Sequence, residues 1–465
     1  MWYFRSGRAS LIPWVAALVT VLGVAPRGNA AEAGAAAAPA AVASVAVKGV
    51  RPQSADEVIP PPVPEAGNAA ALYLEAMAVL EAEDVWNSNL AALAAEVYTS
   101  VFSPSGRRSF VAWVDALRIP QEGNRQPNVG EVYDEFTRRL ESPAVIKAMT
   151  LMAQATERPQ CRFNIDYSKG AETLLPHLAK LRNLSRFLGA VGGAAVERGD
   201  RESAWECALW ELRLADSVRT EPLLISQLVR IAMATIACST VQQAAVPLPP
   251  AAAIVPTLDQ RLAGFDAPGP AVLAIDGERL IFTEWIFRQP QAKIQELLQA
   301  GAEAAAPAPT AEQVAAARVV CSQATARLAE LAAQPYYQVR GELEAFPGTI
   351  GRGNPLAQSL LPSLGNYCRR VAESQALVRV TRLGLRVTQH QAAQGAYPPS
   401  LAALKLADIP AEKQQDPFTG KPLCYRPAGD GFVLYSVGPD GVDDGGTPRA
   451  GDAKVGYDLV WRSER

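Results

Sequence analysis

Potential ligands concentrate near the C-terminus, where carboxylates alternate with glycines: Gly438-Pro439-Asp440-Gly441, then Asp443-Asp444-Gly445-Gly446, with Asp458 further on. Carboxylates crowded into one loop repel one another. A hard divalent cation with about six to eight oxygen ligands relieves that repulsion. The spacing does not meet D-x-[DN]-x-[DN]-G, so this is not an EF-hand. The plainer reading is a set of turns in a solvated loop, since Asp and Gly favour the backbone angles that turns need.

Other chemistry has little to work with. His177 and His390 are the two histidines, far apart and both within helical patterns, which leaves histidine-ligated zinc and H-E-x-x-H unsupported. A Ser-His-Asp triad would need one of them, and no G-x-S-x-G accompanies either. There is no P-loop, and Gly351-Arg352-Gly353 lacks a preceding strand and a third glycine. Glycoside hydrolysis needs only two carboxylates. Glu206, Glu211, Glu278 and Glu284, near tryptophans or within apolar helices, are therefore the residues to weigh for a hydrolase. A solvated helix face explains them more simply, and no catalytic residue is assigned.

The elements that must position these residues begin with an export signal. Arg5 and Arg8 precede an apolar core, Leu11 to Val24, and Gly28 and Ala30 stand at −3 and −1 of a cleavage site after Ala30. Residues 1–30 therefore read as a signal peptide, and the protein as periplasmic or extracellular. The core is shorter than the roughly 20 residues of a membrane span; the alternative is an uncleaved N-terminal anchor. No later segment is expected to span. Residues 31–65, rich in Ala and Pro, read as a linker with little to bury.

The chain has 465 residues, 49% hydrophobic and 20% charged, enough for two folded parts with real cores. Net charge is −3 and basic residues never run together, so nucleic acid is excluded as a partner. The six cysteines form no C-x-x-C pair. Buried, structural thiols are preferred over any of the fifteen possible disulfide sets.

Residues 66–361 read as a helical domain, a bundle or α-solenoid. Asn68, Ser142-Pro143 and the capping boxes Asn128–Glu131 and Thr310–Gln313 open helices. Residues 161–167 alternate as an extended segment would. Leu174, Leu178, Leu181, Leu188 and Val191 recur at helical spacing up to Gly199-Asp200. A second helix runs over 201–220, and a third starts at Pro222. From Pro362 to about Gln394 runs one last helix.

Beyond Gly395 the composition shifts to Pro, Gly, Asp and aromatics. Four ordered fragments stand out: Gly395-Ala396-Tyr397-Pro398; Asp416-Pro417-Phe418-Thr419-Gly420-Lys421-Pro422-Leu423-Cys424-Tyr425; Phe432-Val433-Leu434-Tyr435-Ser436; and the Asp-Gly run closing on Asp458-Leu459-Val460. Residues 423–426 and 431–437 are predicted strands. The expected class is thus α+β: a mainly helical body, then residues 362–465 as a long helix with a small antiparallel β module.

In order and spacing these fragments resemble the C-terminal domain of the major pseudopilin of type II secretion systems. The resemblance covers the chain from about residue 362. It implies calcium binding in the Asp-Gly loop, with Asp440, Asp443, Asp444 and Asp458 at the matching positions; Asp452 is added by proximity. A pilin subunit carries this module directly behind a processed apolar helix. Here the Gly-Phe-Thr-Leu-x-Glu type of processing site is missing, and residues 31–361 intervene. The whole arrangement is similar to that of large exported bacterial proteins ending in this module. The functional expectation is a non-enzymatic scaffold or interaction protein of the cell envelope, with a protein partner there. The alternatives are an extracytoplasmic hydrolase using two carboxylates, and a secretion- or pilus-related subunit.

Overall fold

Helix caps readable in the sequence set most of the boundaries. In the computed structural model, which describes residues 51–82, 138–299, 309–349, 354–360, 363–404, 406–448 and 456–463, helix α1 (Ala70–Ala82) follows Asn68. The Asn68 Oδ1 accepts from the Ala70 amide at 3.1 Å. Helix α2 (Pro143–Glu157) follows Ser142, whose hydroxyl accepts from the Val145 amide at 3.4 Å, with proline at the first helical position. The signal peptide, most of the linker, the Asn128–Glu131 box and Asp452 lie outside the described residues.

Helices α3 (Pro176–Glu197) and α4 (Arg201–Asp216) form an antiparallel hairpin capped by Asp200, and α5 (Leu224–Ala245) packs against both. Leu174, expected on the inner face, precedes the helix and is 69% exposed. Residues 161–166 are irregular and join no sheet; neighbouring Gln160 makes one isolated bridge to Asn68. By length and composition α5 is apolar enough to cross a membrane, contrary to the expectation for segments past the N-terminus. However, 83% of its most apolar window is buried inside the protein. It is the central helix of this core.

Helices α6 (Val255–Ala263) and α7 (Gly269–Gly277) follow, and α7 runs through a π turn into the short α8 (Glu284–Phe287). Then come α9 (Gln291–Gln299) and α10 (Ala311–Ala332), the latter opened by the reciprocal Thr310–Gln313 box. Helices α11 (Tyr336–Thr349) and α12 (Pro355–Leu360) lead to the long α13 (Ser363–Gln394).

The end of the segment expected to be a linker is not free. Arg51 pairs with Asp276 and donates to the Ala326 carbonyl, Arg279 donates to the Pro52 carbonyl, and Arg162 Nε donates to the Pro60 carbonyl. Residues 51–60 thereby lie strapped along the helical body.

The β module is an antiparallel meander, β1 (Cys424–Ala428), β2 (Gly431–Ser436) and β3 (Leu459–Arg462). The third strand was read in sequence only as an Asp-Leu fragment. Phe432, Leu434 and Trp461 share the core of the helices, whereas Val433, Tyr435 and Val460 form a separate cluster on the other face. Trp461 sits so close to α13 that a Cβ on Gly384 would lie 2.0 Å from its ring. Only glycine fits there.

Arginines on α13 join body to module. Arg379 grips Asp266 with Nε and Nη2 at 3.0 and 2.9 Å, while its Nη1 donates to the Glu412 and Gln415 carbonyls. Asp266 is 1% exposed and also receives Lys413. Arg382 grips Asp259 in the same bidentate way, and Arg386 pairs with Asp408. Removing one partner of a buried pair strands the other charge, at a cost of about 3 to 5 kcal/mol. Asp266→Asn should therefore lower stability by about that amount in urea unfolding, and the Asp266→Leu/Arg379→Met double variant should recover a large part of the loss. A loss under about 1 kcal/mol in Asp266→Asn would show that the pair is not what holds these parts together.

Candidate functional site

Three side chains organise the C-terminal fragments, and the Tyr435 hydroxyl on Asp443 with the β2–β3 pairing ties the fourth to the rest. The Tyr425 hydroxyl donates to the Pro398 carbonyl at 2.8 Å. Asp416 Oδ1 accepts from the Phe418 amide and the Ser436 hydroxyl, at 2.8 and 3.0 Å, and its Oδ2 accepts from the Val437 amide at 2.9 Å. The Asp-Pro turn is thereby clasped to the end of β2. Burial pushes the Asp416 carboxyl up, and the three donors offset part of that.

The third is Asp458, at the start of β3 and 1% exposed. Its Oδ2 accepts from the Gly446 and Thr447 amides at 2.7 and 3.0 Å, and its Oδ1 from the Asp444 amide at 3.5 Å. The loop is thereby laid back over the outer face of the sheet. Gly446, at φ +76°, rests on Val433 and Tyr435, where a Cβ would stand 3.0 Å from Val433. Burial raises the Asp458 carboxyl, against three lowering backbone donors and with the Asp444 charge adding to the rise.

The remaining aspartates separate by task. Asp443 Oδ1 accepts from the Tyr435 hydroxyl and the Gly445 amide, both at 2.9 Å. Asp440 accepts from the Val442 and Gly456 amides at 3.0 and 2.7 Å, and its carbonyl takes a hydrogen bond from Arg340. Asp444 differs: its Oδ2 is buried and has no hydrogen-bond partner among the described residues, while its carbonyl accepts from the Thr447 hydroxyl. Of the expected metal residues, Asp444 and Asp458 are adjacent, Asp440 and Asp443 serve other parts of the loop, and Asp452 is outside the described residues. Among the described residues no three His, Cys, Asp or Glu side chains converge as a metal group. Asp444 Oδ2, the Asp458 carboxylate and nearby loop carbonyls are nevertheless hard oxygen donors of the kind calcium takes. The orphaned Oδ2 is the atom such an ion would satisfy.

The four glutamates do not form a pair. Glu206 is exposed, and Glu284 is held by a bidentate Arg318. Burial pushes Glu278 up to about 7 beside the Leu224 amide. Glu211 lies fully buried in the α3–α5 core, where burial raises its carboxyl well above the usual range. His177 is buried against Glu221, Nε2 to Oε1 at 2.9 Å, and stacks on Phe163. Cys161 lies near Glu221, but burial pushes its thiol up to about 12, so it is no ready nucleophile. All six cysteines are unbridged, and Cys207, Cys238, Cys321 and Cys368 are buried.

Asp416, Arg379 and Glu221 escaped the sequence reading as organising residues. The Asp-Pro step signalled only a turn, and an arginine or glutamate within a helical stretch reads as a solvated charge. No family model, no curated protein and no solved structure matches the chain.

Two outcomes are expected. Asp458→Ala leaves the Gly446 and Thr447 amides without their charged acceptor, a loss of about 2 to 3 kcal/mol with fast hydrogen exchange at both amides; unchanged exchange would contradict the clasp. Burial raises the Glu211 carboxyl well above its ordinary range, so the folded chain keeps that proton to a higher pH than the unfolded chain, which releases it above about pH 4.5. Stability should therefore fall as pH rises above that value, and Glu211→Gln should flatten the fall in urea titrations at pH 4, 6 and 8.

Proposed function

We propose that this chain is an exported, non-catalytic interaction protein of the cell envelope, ending in a pseudopilin-like module that calcium stabilises. One observation carries the reading: the four fragments that resemble the pseudopilin meet in one unit, through Tyr425 on Pro398, Asp416 on Ser436 and Val437, and Tyr435 on Asp443. The order of a long helix, a meander and a returning Asp-Gly loop also supports it. Calcium would be held by Asp444 and Asp458 with oxygens of the loop, and its charge would offset the crowding of those carboxylates. Arg340 on the Asp440 carbonyl and the edge-on contact of Tyr336 with Phe418 fix the module to the helical body, so the two would meet a partner as a single surface.

Millimolar calcium should raise the melting temperature of the purified protein, and a chelator should reverse the rise. Asp444→Ala should remove that response with little loss of calcium-free stability, because Oδ2 holds no hydrogen bond among the described residues. A melting temperature indifferent to calcium and chelator would end the calcium assignment. Capture of no envelope protein by the tagged chain, across several growth conditions, would count against the interaction role.

A further inference from the structure

Away from the module, a cavity of about 230 Å3 opens where the strapped N-terminal segment crosses the helical body. Its lining brings Pro60, Pro61 and Pro159 together with the half-buried Arg162 and Arg213 and the exposed Arg219. Arg162 and Arg213 spend one nitrogen each on a backbone carbonyl, those of Pro60 and Arg158, and neither is ion-paired among the described residues. Arg219 has only a 3.8 Å approach to Asp216. Asp216, the one carboxylate in the wall, is already engaged by Arg230 at 2.7 Å. The cavity wall therefore carries a net positive charge, three guanidiniums against one paired carboxylate, with Glu221 buried behind Cys161.

Two hydroxyls complete the wall. Tyr73 is 1% exposed and Ser217 is 6% exposed; the Tyr73 oxygen is buried without a hydrogen-bond partner among the described residues, and the buried Ser217 hydroxyl has the Cys161 thiol as its only neighbour of that kind there. A buried polar group left unsatisfied costs free energy, so such groups in a folded protein call for a partner. Both are donors, and burial raises the Tyr73 phenol, which keeps its proton. Guanidinium forks and hydroxyl donors around one space suit an oxyanion, and the prolines suit a small apolar body. The volume exceeds the roughly 150 Å3 that encloses a benzene ring.

We propose that this cavity binds a compact organic anion, a carboxylate or phosphate head on a small apolar body, with the head on Arg162, Arg213 and Arg219 and hydrogen-bonded by Tyr73 and Ser217. Built from residues 60–220, the site is independent of the calcium loop.

The full mature chain would be titrated calorimetrically with benzoate, phenyl phosphate and inorganic phosphate, and with benzamidine as a cation of matching shape. Benzoate or phenyl phosphate should bind at millimolar concentration or below, and benzamidine should not bind. The stronger of the two anions identifies the head group, and inorganic phosphate binding as well as phenyl phosphate would remove the apolar part of the assignment. Tyr73→Phe and Ser217→Ala should each weaken binding about tenfold, the loss of one hydrogen bond to a charged group. Arg219→Gln, at an exposed position, should weaken it without unfolding the chain. The proposal fails if neither organic anion binds up to about 10 mM. It also fails if benzamidine binds equally, or if Ser217→Ala and Arg219→Gln both bind like the parent protein.

Discussion

One guanidinium, that of Arg379, ties the long helix both to the helical body and to the stretch that leads into the sheet. It sits on the long helix, holds the carboxylate of Asp266 beyond α6, and donates to two carbonyls of the irregular stretch that leads into the sheet. A planar fork can serve a carboxylate and two carbonyls together, which an ammonium on the same stem cannot do with fixed geometry. A buried ion pair adds little net stability over well-packed apolar side chains. Its effect here is on register: any other seating of the long helix on the body would separate Arg379 from the buried Asp266, and any other seating of the module would take the Glu412 and Gln415 carbonyls off Arg379. Trp461 against Gly384 makes the same demand sterically.

The aspartates of the module show one residue type meeting different needs. Asp416 and Asp458 are buried and act as acceptors that end strands and gather loop amides, in place of ladder hydrogen bonds that the short sheet does not supply. Asp440 and Asp443 close local turns from the surface. Among the described aspartates of the module, Asp444 keeps a buried oxygen with no described group to accept from. An acidic loop is thus mostly self-sufficient scaffolding, and any ion would act at one end of it.

What could be read from the sequence was what local rules decide. Ser142-Pro143, Asn68 and Thr310-Gln313 act within one helical turn of themselves, and each caps its helix as expected. The long helix and two strands followed from composition and alternation. The misses depended on distant residues. β3 is four residues long and is a strand only because β2 lies beside it. Leu174 matched a helical period but fell before the helix began. The apolar length of α5 is a property of a core helix that burial, not membrane, explains. Charges on helices hid their importance, because a buried arginine and a solvated one look identical in a string of letters.

The strap over residues 51–60 has a mechanical consequence for a chain delivered from its N-terminal side. Arg51 and Pro52 are fastened first, to Asp276, Ala326 and Arg279, and the prolines that border the cavity come several residues later. A pull applied at Arg51 meets the buried Asp276 pair first, and Pro60 is held further on by the Arg162 Nε. A load on that segment therefore reaches the helices through Arg51 before it reaches the prolines of the cavity.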